Sequence, residues 1–363
     1  MKTTFNTFKY LCLTLGIATA AMSCTRDNDP TPEIPPSDGT VLTLEGGPGE
    51  GSAENSVYVD LSAELQTAVK RTSWNLGFYS GNEFRVILNG STGTSAMDAE
   101  TTDLAAVNST TFDYSQLAFD YDPGKLALYD DTAGRIEHTV IAEIAADETA
   151  NNVYVVNTAF GSEVDLANVW KVRILRNGAT GYTLQYAELN ATEYETLQIT
   201  KDGDHLFKHI SFATGPVEVI PKKADWDFVW GYHVYYTSMG PSVYIPYAYS
   251  DLIFINHLGG VSAAEVIFED GSGESTGKPS YVDFTEANLG SVTFSNTRNV
   301  IGSKWRVTPS PTPGIIVGTK KDRFYLIKDT AGNIYKLRFN SFTSEDGGKR
   351  GYPELEYKLI KQG

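Results

Sequence analysis

Short stretches in which apolar and polar residues alternate recur along the chain from residue 57 onward. Val57-Tyr-Val-Asp-Leu61, Phe84-Arg-Val-Ile-Leu88 and Tyr325-Leu-Ile-Lys328 are rich in β-branched and aromatic residues, with Gly, Asn and Asp turns between such runs. That pattern predicts antiparallel strands. No window holds an apolar 3.6-residue period for three turns, and Leu61 to Val69 is the best, short, helix candidate. The expected fold class is all-β.

The strand pattern repeats. Val153 to Thr158, Trp170-Lys-Val-Arg-Ile-Leu175 and Gly181 to Leu189 form one series. Phe324 to Thr330, Tyr335-Lys-Leu-Arg-Phe339 and Gly351 to Leu359 form its counterpart. Upstream, Val57 to Ser62 leading to Trp74 matches Phe207 to Phe212 leading to Trp226. Arg85 to Ala96, with Asn89, likewise matches Leu252 to Ala263, with Asn256. Three matches in one order imply two tandem β domains, 53–200 and 201–363.

The N-terminus reads as a lipoprotein leader, residues 1–23. Lys2 and Lys9 precede an apolar stretch too short to span a bilayer, and Ala21-Met-Ser-Cys24 places small residues before a cysteine. Cys24 is then the lipidation site. Residues 24–52 read as a tether, with Pro30, Pro32, Pro35 and Pro36 blocking regular structure and a Gly-rich break over Glu45 to Gly51.

Composition narrows the function. Of two cysteines, Cys12 leaves with the leader, so no internal disulfide or thiolate site remains. The formal net charge of −16 argues against nucleic acid or an anionic membrane surface as a partner. Attachment would be by the lipid alone. No Gly-x-Ser-x-Gly, His-Glu-x-x-His or Walker pattern is present, and a non-enzymatic role is expected.

Ala224-Asp-Trp-Asp-Phe228, Arg323-Phe-Tyr-Leu-Ile-Lys328, Gly332-Asn-Ile-Tyr-Lys-Leu-Arg338 and Leu355-Glu-Tyr-Lys-Leu359 resemble motifs of the HmuY-like family. Its members are haem-binding outer-surface lipoproteins, and tandem duplication departs from their single-copy pattern. The resemblance implies an outer-membrane, surface-exposed, all-β protein that captures haem and hands it to a TonB-dependent transporter. It also implies two axial side chains on the iron, a His pair or a Met pair, from loops beyond the Trp strand. Met97 and His257 occupy matching loops and lead the candidates, followed by Met239, His233 and His138.

His205 and His209 flank Phe207 at even spacing, which puts all three on one strand face. The ring-rich stretch beyond Trp230, including Tyr235, Tyr236 and Tyr244, could stack on a porphyrin or on a sugar. A surface glycan-binding protein, or a structural or adhesive one without haem, is the alternative.

Overall fold

The computed structural model describes residues 35–309 and 314–363. The expected leader, Cys24 and the first part of the tether lie outside the described residues.

Strands dominate, joined by loops and short 3₁₀ turns, and every pairing is antiparallel. One five-stranded sheet runs β1 (Val41–Thr43), β20 (Glu354–Lys361), β19 (Ile334–Ser341), β18 (Arg323–Lys328), β15 (Ser262–Ile267). It packs on a four-stranded sheet, β14 (Val243–Ile255), β13 (Phe228–Gly240), β2 (Asn55–Asp60), β3 (Leu65–Lys70). Val57, Val59, Phe228, Trp230, Tyr325, Leu337 and Leu355 fill the core of this first sandwich.

The second sandwich has the same plan. Its five-stranded sheet runs β10 (Glu195–Thr200), β9 (Gly181–Glu188), β8 (Val169–Arg176), β7 (Val153–Asn157), β6 (Ser95–Asp98). The facing sheet runs β12 (Gly215–Val217), β11 (Phe207–Ser211), β4 (Leu76–Tyr79), β5 (Val86–Leu88). Leu76, Phe78, Val172, Tyr182, Leu184 and Ile210 lie in its core. A two-stranded ribbon, β16 (Arg306–Val307) with β17 (Gly318–Thr319), completes the set.

Several hydrogen bonds have counterparts in the two sandwiches. Asn89 Nδ2 donates to the carbonyls of Arg71 and Trp74, and Asn256 Nδ2 to those of Lys223 and Trp226. Asn75 accepts from the amide of Phe212, and Asp227 from that of Leu61. Lys171 on β8 and Lys336 on β19 are both buried and tie down loop carbonyls, Val107 and Ala191 in one case, Tyr281 and Phe284 in the other.

Three expectations need correction. The boundary at 200/201 falls inside the second sandwich, because β10 to its one side and β11–β12 to the other both belong there. By pairing, residues 71–217 form that sandwich and the flanking segments form the first, with Pro36–Gly363 as one unit. The tether ends earlier than residue 52. Leu44 is fully buried, β1 pairs with β20, and a Cβ on Gly46 would stand 2.3 Å from the Trp230 ring. The glycine there permits close packing, not a break. The helix candidate Leu61 to Val69 is a turn followed by β3, since Thr67 and Val69 pair across to Tyr58 and Ser56.

Candidate functional site

Alternation along β2 sends Val57 and Val59 into the first core and turns Tyr58 to the other face. There its ring meets Trp226 edge-on at 5.0 Å. On β11, Ile210 enters the second core while His209 faces the other way and meets Trp74 edge-on at 4.7 Å. Tyr58 and His209 hold equivalent registers, opposite Val229 and Gly77 respectively. The outer faces of the two four-stranded sheets thus present matching ring pairs.

Between them lies a cavity of about 180 Å³. Residues of both sandwiches line it: Tyr58, Trp226, Phe254 and Arg298 from the first, Trp74, Phe207 and His209 from the second. A loop of the second sandwich, Asp130 to Thr139, also contributes to its wall. Interfaces of this kind are common places for small-molecule sites.

Four imidazoles line the cavity: His205, His209, His233 and His257. His233 Nδ1 donates to the Val234 carbonyl at 2.5 Å, which leaves Nε2 to accept from Arg298 Nη2 at 2.9 Å. His257 Nε2 donates to the Gly134 carbonyl at 2.9 Å. His209 is 5% exposed, and its Nε2 has no hydrogen-bond partner among the described residues. Burial pushes His209 and His233 each down to about 3, so both imidazoles are neutral at pH 7. Burial also lowers His257.

Arg298 is the buried cation of the cavity, while Arg135, also in the wall, is exposed and paired with Asp131. Its guanidinium lies 3.9 Å over the Phe254 ring, and no carboxylate comes within 4.0 Å of it among the described residues. Burial brings it down to about 10. Asp130, also in the wall, is pushed up by burial to about 6, against the pull of the Val140 and Leu88 amides. A ring-walled cleft with neutral imidazoles, one buried guanidinium and the carboxyls of Asp130 and Asp131 offers a flat ligand both apolar faces and polar anchors.

The expected ligands scatter. His233 and His257 share this cavity, and His205 and His209 share the face that their spacing implied. Met97 is elsewhere, half-buried on β6 against the cluster of Leu104, Val153 and Val155. Met239 is 68% exposed at the end of β13, and His138 is exposed on a 3₁₀ turn. Tyr235 is buried and stacks on Tyr236 at 4.6 Å, while Tyr244 meets Tyr236 edge-on at 5.1 Å. These three line the β13–β14 hairpin and are not among the cavity's lining residues. Sequence reasoning missed Arg298 and Tyr58, which no motif marks.

Among the described residues no group of three or more His, Cys, Asp or Glu converges to hold a metal ion. No helix among them is long and apolar enough to cross a membrane. No curated protein and no solved structure matches the chain. The family described as HmuY protein matches residues 52–357, which span both sandwiches and the cavity between them, and the chain therefore belongs to the HmuY family.

Proposed function

We propose that the protein binds haem in the cavity between its sandwiches, as a surface lipoprotein anchored through Cys24 in the outer membrane. One observation carries the reading. A buried imidazole nitrogen with no hydrogen-bond partner among the described residues, His209 Nε2, and a buried guanidinium with no carboxylate within 4.0 Å among them, Arg298, face one ring-walled cavity whose wall also holds Asp130 and Asp131. Haem answers both, with an iron for imidazole and propionates for the guanidinium. Family membership supports haem as the ligand.

At about 180 Å³ the cavity is smaller than the ~300–1,000 Å³ of ligand pockets, so a macrocycle enters by parting its walls. The Asp130 to Thr139 loop is held at its middle by the bond from His257 to Gly134. Opening that bond would free the His257 Nε2 nitrogen at the cavity wall. His209 and His257 are the imidazoles that would hold the iron of such a haem, and Met97 stays half-buried against the cluster of its own sheet. No catalytic step is assigned. A TonB-dependent transporter would receive the haem.

A visible-absorption titration with haem, oxidised and reduced, tests the reading. A red-shifted Soret band that saturates supports it, and no spectral change overturns it. Exposed rings at Tyr121, Tyr244 and Tyr247 favour a second reading, stacking on a surface glycan, which haem would leave unaffected.

A further inference from the structure

A second concavity lies on the first sandwich, with a volume of about 310 Å³. Lys320, Lys321, Arg323 and Arg338 line it, together with aromatic rings, and no acidic side chain does. In a chain of net charge −16, four cations have gathered at one hollow. Arg323 pairs with Asp322 at 2.8 Å and Glu265 at 2.9 Å, and Arg338 pairs with Glu356 at 2.9 Å. None of these three carboxylates lines the hollow. Among the described residues Lys321 Nζ donates only to the Asn340 carbonyl, at 2.6 Å. Lys320 has no carboxylate within 4.0 Å and no side-chain hydrogen bond among the described residues.

The other sandwich shows what the framework alone requires. Lys336 pairs with Leu326 across β19 and β18 as Lys171 pairs with Val155 across β8 and β7. That register sets Arg338 equivalent to Arg173. Arg173, however, is consumed by backbone, donating to Asn151 O at 3.1 Å and Glu148 O at 2.9 Å. The counterparts of Lys320, Lys321 and Arg323 are Thr149, Ala150 and Asn152. One sandwich closes the place with carbonyls; the other leaves it open and adds two lysines, Lys320 and Lys321, beside Arg323, whose guanidinium is held by Asp322 and Glu265.

We infer that the hollow at Lys320, Lys321, Arg323 and Arg338 binds an oxyanion of the phosphate or sulfate type, free or carried on a polymer. Two ammonium groups beside the Arg338 guanidinium, which meets Glu356 through Nε alone, are what such anions select. The site shares no residue with the haem cavity and does not depend on haem binding.

The test is calorimetric titration with sodium phosphate and sodium sulfate at constant ionic strength, and with sulfated against uncharged dextran. The parent should bind at least one of the anionic probes and ignore uncharged dextran. Binding should weaken about tenfold in the Lys320→Ala/Lys321→Ala double variant, whose unfolding midpoint should match the parent's. Arg338→Lys, which keeps the charge and loses the fork, should fall between. Binding of the small anions assigns a free-anion site, and binding of the sulfated polymer alone assigns a polymer-borne group. Failure of every anionic probe to bind the parent overturns the proposal. So does equal binding by the double variant.

Discussion

Arg298 Nη2 and His233 Nε2 stand 2.9 Å apart, with the guanidinium as donor and the imidazole lone pair as acceptor. The pairing demands a neutral ring carrying its proton on Nδ1, which the Val234 carbonyl accepts. Protonation would set two cations face to face in a buried site. Burial first, and Arg298 second, hold His233 down at about 3. Long-range proton–nitrogen spectra should therefore show one unchanging Nδ1–H tautomer from pH 8 to about pH 4.5. A titration near the ordinary histidine value of about 6.5 would contradict the pairing.

Asp227 offers a test through its counterpart. It accepts from the Leu61 amide where Asn75 accepts from that of Phe212, and burial pushes its carboxyl up to about 8. The folded state thus holds a proton that the unfolded chain releases near pH 3.9. Its contribution is complete below that value and is lost as pH rises through 8. Asp227→Asn keeps the acceptor and removes the titration. The variant should gain on the parent as pH rises from 6 to 9, read as the difference in unfolding midpoints. A difference that does not change with pH would show that Asp227 is ionised in the fold.

Lys171 is 1% exposed, and its ammonium satisfies the carbonyls of Val107 and Ala191. Lys171→Met preserves the stem and leaves both oxygens unpaired. A loss of about 2–4 kcal/mol in urea unfolding is expected, and Lys336→Met should behave alike. A loss below about 0.5 kcal/mol would mean that water replaces the ammonium at no cost.

The strands could be read from alternation, because core-facing side chains must recur at every second residue. Partnership between segments could not. Nothing in Val57 to Asp60 says that it pairs with Phe228 to Trp230 and not with Leu76 to Tyr79. The boundary therefore went to the end of the first series, at 200/201, where a sandwich in fact continues. The same blindness hid the site: Tyr58 and His209 face one cavity only because their strands lie in different sheets. Residue type alone names His233 and His257 as candidates, whereas Arg298 is placed beside them only by packing.

Strand partnership also governs proteolysis. Gly203 and Asp204 are exposed, so a cut there is expected. Because β11, with β12 on its outer edge, remains paired with β4, the nicked chain should elute from a sizing column as one particle. Separation into two folded fragments would contradict the pairing.

The number of haems bound per chain bears most directly on the placement of the site. A cavity shared by two sandwiches holds one ligand, whereas a pocket in each repeated half would hold two. Titration followed at the Soret band should end at one equivalent, and His209→Ala should lower the affinity while leaving the fold intact. An end point at two equivalents, or one unaffected in affinity by His209→Ala, would place haem elsewhere than between the sandwiches.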